Sequence, residues 1–588
     1  MPHDEEDEGY FSVGMAVLAV FVSLLIVYSH HAKTPSEPGL LDVQYALPPS
    51  NMKMGVYSKA AVVSNGEPCA NIGRNILKKG GNAIDAIIAT LICDGVFCPE
   101  YMGLGGGILM TIYNRTTKMA TEINAREIAP AAANKTMYTN EPMKAQRGGM
   151  AIAVPGELKG YWIAYNKYGG GVPWKELFEP TIKHCKQGIV VSERLANNLV
   201  RFEDLILNTT TIKNHFVDHK TGRIKKAGDI YKLPKLARSL RIIAKNGADA
   251  LYNGKLTAKL LKDIKNCGGI ITAEDMANYK VKINEAFNVD LKNGYRLHAG
   301  IPPSSGVILA YILRLLDGKL PGPNAGLDAH RLVEAYKFAY GERTRIGDHN
   351  FVKVNQIFKK IKSDQYIENI KSKINDYSTS LNPKYYGAEY DIPIDHGTAN
   401  VVVLDAMGNA VVATSTINTI FGSGVMSKST GIIMNNEMDD FSIPGIRNSF
   451  GIPSSPANYI QPGKRPMSSM CPSIITDNKG DVILALGAAG GSKITLATAY
   501  VIALTMWYNK TLKEAIDEPR IYHQLIPMRI DYEYGLLKNV VNKLKEIGHP
   551  VNRLTFRGGS AVTAIHKNRE CHITAMADFR RPGNTSGY

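Results

Sequence analysis

Residues 395–418 read DHGTANVVVLDAMGNAVVATSTIN. Runs rich in β-branched residues flank Asp405-Ala406-Met407-Gly408-Asn409, so the stretch reads as a β-hairpin whose first strand opens at Thr398, directly after Gly397. A threonine in that position has chemistry that an interior one lacks. Attack of its hydroxyl on the Gly397 carbonyl would cut the chain and leave Thr398 with a free α-amine beside its own Oγ. The reference pKa of an α-amine is about 7.7–8.0, so near neutrality an appreciable fraction is unprotonated and can act as the hydroxyl's base. Glycine at 397 eases the twisted backbone that such an attack requires. Taken alone, Thr398 is more simply the start of a strand, and the segments around it decide between the two readings.

Glycine-rich stretches lie on both sides. Gly103-Leu104-Gly105-Gly106-Gly107 and Gly487-Ala488-Ala489-Gly490-Gly491-Ser492-Lys493 invite a phosphate-loop reading, but the spacing fails, because Ser492 stands where the second glycine should precede Lys493. The second segment follows the apolar run GDVILAL and precedes a helix expected to begin near Ser492. Its backbone N–H groups therefore converge at a helix N-terminus, an arrangement suited to an anion or an oxyanion. A tight turn that simply needs small residues is the competing reading.

The segments TSTIN (Thr414 to Asn418), NNEMDDFS (Asn435 to Ser442), PGKRPMSSMCP (Pro462 to Pro472) and GAAGG (Gly487 to Gly491) follow DHGTAN in order. With NAREIAP (Asn124 to Pro130) upstream and SGY at the C-terminus, the chain from about Asn51 to Tyr588 resembles the γ-glutamyltransferases, self-processing N-terminal nucleophile enzymes. The resemblance implies an α/β (α+β) fold, a four-layer αββα sandwich, cut into a heavy chain (51–397) and a light chain (398–588). It implies glutathione and other γ-glutamyl compounds as donors, with transfer of the glutamyl group to water, an amino acid or a dipeptide. No cofactor or metal is implied. Carried onto matching residues, it makes Thr398 the nucleophile and Thr416 the group that orients it. Gly490 and Gly491 become the oxyanion donors. Arg126, Ser468 and Ser469 are assigned to the donor's α-carboxylate, and Asn418, Glu437 and Asp440 to its α-ammonium. A forked guanidinium suits a carboxylate, and a carboxylate pair is unfavourable unless a cation sits between its members. Arg581 stands where some relatives place a lysine near the acceptor subsite, so acceptor preference stays open. Two other readings keep the same residues: a γ-glutamyl hydrolase specialised for a glutathione conjugate of the leukotriene type, and a non-catalytic cell-surface protein. The intact constellation argues against the second.

Seven cysteines do not make a disulfide scaffold. Cys69 precedes one helical stretch, ANIGRNILKK, and a second, NAIDAIIATLIC with Asn82 as N-cap, ends at Cys93. A tight turn at Gly80-Gly81 would bring Cys69 beside Cys93, with Cys98 as an alternative partner and buried free thiols as the plain alternative. The stretch Leu207 to Phe216 lacks the second cysteine pair of some animal γ-glutamyltransferases. Neither Cys-x-x-Cys nor His-Glu-x-x-His occurs, so no metal site is expected.

The N-terminus is organised differently. Residues 1–9 form an acidic head, and Tyr10 to Tyr28 is an uncharged stretch of nineteen residues, enough to cross about 30 Å of hydrocarbon as a helix. Residues 29–50 include four prolines between Thr34 and Ser50 and read as a stalk. The acidic leader departs from both a cleaved signal peptide and the basic head expected of the family's animal anchors. Flanking charge would place the head outside. Five glycosylation sequons, at Asn114, Asn134, Asn208, Asn509 and Asn584, make sense only on a translocated body, so a single-pass type II protein with an extracellular body is expected. Net charge is +16 despite the acidic head. Such a body attracts acidic small molecules, but no nucleic-acid module accompanies the charge.

Overall fold

The computed structural model describes residues 41–391, 393, 397–447, 451–555, 559–568 and 572–588. The acidic head, the predicted span and most of the predicted stalk lie outside these residues, as do Asp395 and His396. Among the described residues, no helix is long and apolar enough to cross a membrane. The end of the predicted stalk belongs to the body, which forms one compact unit from Val43. Ser50 is tied down there: its N–H and Oγ donate to the Asp517 carboxylate at 2.9 and 2.8 Å, and Lys513 Nζ donates to its carbonyl at 2.7 Å.

Two seven-stranded sheets form the centre. The first runs, in spatial order, Asn584–Gly587, Ala61–Ser64, Ala399–Leu404, Ala410–Thr416, Gly107–Asn114, Met119–Ala125 and Lys282–Glu285. The second runs Gly55–Tyr57, Ile573–Ala577, Ala561–Lys567, Val482–Ala489, Ser473–Thr476, Tyr295–Ala299 and Phe287–Leu291. Every strand pair within these two sheets is antiparallel. Both sheets interleave strands from before and after Gly397.

The inner faces meet in an apolar layer that includes Val402, Leu404 and Val412 from the first sheet and Ile474, Ala485 and Ile565 from the second. On the outer face of the first sheet, Val401, Val403 and Val411 share a core with the helices Cys69–Lys78, Ala83–Phe97, Glu157–Tyr168 and Trp174–Gln187. On the outer face of the second, Leu484 and Leu486 share one with Gly306–Leu316, Ala325–Arg343 and Ile494–Met506. Helix, sheet, sheet, helix is the predicted four-layer sandwich. Strands covered on both faces explain why Val401–Leu404 is a continuous rather than alternating apolar run.

Asn82 caps its helix as expected, accepting from the N–H groups of Ile84 and Asp85 at 2.9 and 3.2 Å, while Asp85 returns a bond to the Asn82 N–H. That helix continues to Phe97, one turn past the predicted end at Cys93, because the Asp94 carboxylate that follows is satisfied within the core, accepting from the N–H groups of Asn65 and Gly66 at 3.0 and 2.8 Å. Cys69 opens the preceding helix, and its sulfur lies 1.99 Å from that of Cys93, with Cα atoms 5.5 Å apart. Cys98 remains a buried thiol.

Candidate active site

The hairpin forms as read, with Ala399–Leu404 paired to Ala410–Thr416 across the Asp405–Asn409 turn. Its first strand begins at Ala399, one residue later than predicted, and leaves Thr398 at the strand's mouth. The register pairs Ala399 with Ser415, which sets Thr398 level with Thr416. Both threonines are buried. Thr416 Oγ1 accepts from the Asn418 N–H at 2.8 Å, and Asn418 Nδ2 donates to the Asn436 carbonyl at 3.1 Å. The turn leaving the second strand is thereby fixed to the segment that carries Glu437 and Asp440.

Two glycines admit this geometry. Gly397 has φ +59°, and a Cβ there would stand 1.9 Å from the Asn418 carbonyl oxygen. A Cβ on Gly106 would stand 2.0 Å from the Thr416 carbonyl oxygen, so the Gly103–Gly107 run serves close backbone passage beside Thr416. Beneath Thr398, the Asn400 side chain ties the sheets together. It accepts from Thr414 Oγ1 and donates to Thr563 Oγ1, both at 2.7 Å.

The second glycine segment is a strand, Val482–Ala489, followed by a 3₁₀ turn over Gly491–Lys493 and the helix Ile494–Met506. The helix proper starts two residues after the predicted Ser492. Gly490 and Gly491 have φ +127° and +61°, which turn the backbone at the helix entrance. Ser492, Gln524, Tyr340 and Arg343 line a cavity of about 260 Å³ beside this turn. Arg343 also donates to Ser469 Oγ at 3.0 Å.

Arg126 is fully buried and donates to Glu437 Oε1, to Asp440 Oδ2, and to the carbonyls of Pro466 and Met467 at 3.1 and 3.0 Å. The structure thus supplies the cation between the two carboxylates from within the chain. Arg126 meets the backbone just before Ser468 and Ser469, while Ser468 Oγ accepts from the Met470 N–H at 3.2 Å. Glu127, next in sequence, adds a third buried acid. Both of its oxygens, with Glu437 Oε2, lack a hydrogen-bond donor. Burial pushes Glu127 up to about 8 and Glu437 well above the carboxylate range, against the pull of Arg126, with smaller upward pushes from Glu157 on Glu127 and from Glu127 on Glu437. One guanidinium among three acids leaves room for a retained proton on the Glu127–Glu437 pair.

Arg581 is buried and donates through Nη1 to the Thr398 carbonyl. It touches the backbone of Thr398, a position that the acceptor-subsite assignment did not anticipate. Sequence reasoning also passed over Glu127, Asn400, Tyr101 and Arg343, although Glu127 lies inside the quoted NAREIAP. Among the described residues, His330, Glu334 and His549 bring metal-type donor atoms together. Lys337 Nζ already donates to Glu334 at 2.9 Å, however, and the two imidazoles share a 2.8 Å hydrogen bond.

The sandwich, with a threonine at the mouth of an inner-sheet strand, defines a fold shared with acylases. A cephalosporin acylase from Bacillus halodurans superimposes with a TM-score of 0.79, covering 94% of this chain and 99% of that one at 22% identity. The family follows from sequence: the model for gamma-glutamyltranspeptidase matches residues 69–588, and the chain belongs to that family of enzymes. Glutathione hydrolase 2 of Arabidopsis thaliana is 40% identical over 92% of this chain and 95% of its own length. Scoloptoxin SSD14 of Scolopendra dehaani is 44% identical over 91% and 93%. The gamma-glutamyltranspeptidase of Helicobacter pylori, 30% identical, aligns with a TM-score of 0.51 over 57% of this chain and 95% of that one.

Proposed function

We propose that the protein is a membrane-anchored γ-glutamyltransferase that acts on glutathione and related γ-glutamyl compounds after cutting itself at Gly397-Thr398. The carrying observation is the position of Thr398, level with Thr416 at the mouth of the hairpin, in a chain whose buried Arg126 is matched to two carboxylates. In the precursor, Thr398 Oγ adds to the Gly397 carbonyl and the amide C–N bond breaks. That step frees the Thr398 α-amine and leaves an Oγ ester, which water then hydrolyses to the Gly397 carboxylate and the Thr398 hydroxyl.

In the mature protein that amine takes the Oγ proton as the hydroxyl attacks the donor's γ-carbonyl. The N–H groups of Gly490 and Gly491 stabilise the oxyanion. The amine leaving group departs with a proton, and water or an acceptor amine resolves the ester to glutamate or a new γ-glutamyl amide.

Donor recognition is an exchange of ion pairs. The donor's α-carboxylate takes Arg126 while its α-ammonium takes Glu437 and Asp440, with Asn418, Ser468 and Ser469 around them. A ligand carrying only one of these charges would leave a buried partner uncompensated, which selects the complete glutamyl zwitterion. The cavity beside Ser492 and Arg343 offers room for the rest of the donor or for the acceptor.

The anchor is assigned to residues 10–28 and the body to the extracellular side. Asn114, Asn134, Asn208 and Asn509 are exposed, as glycan attachment requires, and the Cys69–Cys93 geometry suits an oxidising compartment. Asn584 is half-buried with Nδ2 donating to the Glu67 carbonyl at 2.6 Å, which makes it the poorest acceptor of the five.

Intact mass and N-terminal sequencing of the purified protein, paired with turnover of a γ-glutamyl anilide, test the reading. A fragment beginning Thr398-Ala399-Asn400 is expected. Thr398→Ala should remain one chain and release no product, while Thr398→Ser retains part of both activities. An uncut protein with full turnover, or a Thr398→Ala protein that is cut and active, refutes it.

A further inference from the structure

Thr398 is held from a direction that the reaction scheme leaves unused. The Arg581 guanidinium, which reaches the Thr398 carbonyl, lies 4.1 Å from the centroid of the Tyr101 ring. Arg194 lies near the same ring, 4.9 Å from its centroid. The Tyr101 hydroxyl is gripped from two sides, accepting from Arg194 Nε and from Asn198 Nδ2, both at 2.6 Å. Arg194 Nη1 also donates to the Arg580 carbonyl at 3.0 Å, so it braces the residue before Arg581 as well as the ring on which Arg581 rests. Tyr101 is also anchored through its backbone: its carbonyl accepts from the Ile417 N–H at 3.0 Å, and the carbonyl of Glu100 accepts from the Phe421 N–H at 2.9 Å. One residue therefore reaches Thr398 through Arg581 and the Thr416–Asn418 turn through its main chain.

We propose that Tyr101 is a positioning residue for the nucleophile: its ring, fixed by Arg194 and Asn198, sets the Arg581 guanidinium against the Thr398 carbonyl and so fixes the backbone from which Oγ attacks. The proposal rests on Thr398 being the nucleophile. An aromatic face is well suited to the task. It attracts a guanidinium without the full charge compensation that a carboxylate would give, and so leaves the N–H donors of Arg581 available for the carbonyl. Glu100, the nearby acid, is buried and only weakly engaged, accepting from Asn198 Nδ2 at 3.3 Å.

The test is steady-state kinetics of the processed enzyme with a γ-glutamyl anilide, alongside the extent of chain cleavage and the melting temperature. Displacement of the nucleophile by a fraction of an ångström to one ångström costs about 10- to 100-fold in the chemical step. Tyr101→Leu is expected to lower kcat by about that factor while KM for the donor stays within about twofold, because the ion pairs of Arg126 are untouched. Tyr101→Phe keeps the ring but loses the hydroxyl contacts that fix it, so its loss of kcat should be real but smaller than that of Tyr101→Leu. In a double-mutant cycle, adding Tyr101→Leu to Arg581→Met should cost little beyond Arg581→Met alone, since both act through one contact.

A Tyr101→Leu enzyme with kcat within twofold of the parent overturns the proposal, as do fully additive losses in the cycle. If Tyr101→Leu does not fold, an Arg194→Met enzyme with an unchanged kcat is equally decisive against it. Turnover that survives in Thr398→Ala would instead remove the reading on which the proposal depends, and the parent and Thr398→Ala assays report that separately.

Discussion

Replacing Gly397 with alanine should nearly stop chain cutting, and the structure gives the size of the effect. The backbone at 397 has φ +59°, a region that costs an L-residue with a Cβ about 1–2 kcal/mol. The new methyl would stand 1.9 Å from the Asn418 carbonyl oxygen, a main-chain atom that cannot swing aside as a flexible side chain would. Asn418 is itself fixed, through its N–H to Thr416 Oγ1 at 2.8 Å and through Nδ2 to the Asn436 carbonyl at 3.1 Å. Relief of the overlap adds about 1–3 kcal/mol, as in other overpacked sites. It must shift either the scissile carbonyl or the turn that holds Thr416, and both shifts spoil the attack. A combined cost of about 2–5 kcal/mol falling on the attack geometry slows cutting by at least about 30-fold. The assay is a time course of precursor conversion by denaturing electrophoresis, with intact mass to confirm the products and thermal unfolding to report the strain. A Gly397→Ala precursor that is cut at the parental rate and melts at the parental temperature would refute the reasoning.

Three further outcomes are expected. Arg126→Lys should raise donor KM by about tenfold or more while kcat changes less, since a point charge cannot make the forked contact to the donor's α-carboxylate and at least one charge-assisted bond of about 1.5–3 kcal/mol is lost; an unchanged KM removes Arg126 from the donor site. Glu127 has its pKa raised from 4.5 to about 8, so the folded state holds that proton more tightly than the unfolded chain does. Its stabilising contribution is complete below about 4.5 and is lost as pH rises toward 8. Glu127→Gln should therefore lose less stability than the parent between about pH 5 and pH 9, and identical melting shifts would contradict this. Cys93→Ser opens a loop spanning 24 residues and should cost about 3 to 3.5 kcal/mol in the oxidised protein, with no added effect of reductant on the variant.

Much of the architecture was legible because local signals agree with the tertiary answer. The turn residues 405–409 lie between strand-forming runs, Asn82 is a capping residue before a helical stretch, and an apolar strand precedes the Gly490-Gly491 turn. The misses are of a different kind. Asp94-Gly95 after Cys93 reads locally as a stop, and the helix runs through it because the distant Asn65 and Gly66 N–H groups satisfy the Asp94 carboxylate. The pairing of Arg126 with Glu437 was not legible because a sequence shows a charge but not what lies 311 residues further along the chain to meet it. Tyr101, and with it the contact that its ring makes with Arg581, escaped attention for the same reason, since the two residues are far apart in the chain and meet across a ring face. Glu127 is the instructive case. Its burial could not be read from composition, and only the orphaned oxygens beside Glu437 reveal that it takes part.

The interleaving of the two sheets has a consequence for the history of the molecule. Each sheet contains strands from either side of Gly397, so neither portion owns a complete layer. Before cutting, the native state is reached by a single chain closing on itself, independent of concentration. After cutting, the same state would require two separate bodies to find one another while both are unfolded, and dilution then opposes recovery. Under the proposed cut, assembly would be a once-only event, completed while the peptide link is intact. The mature protein would persist by the slowness of its coming apart rather than by any capacity to form again.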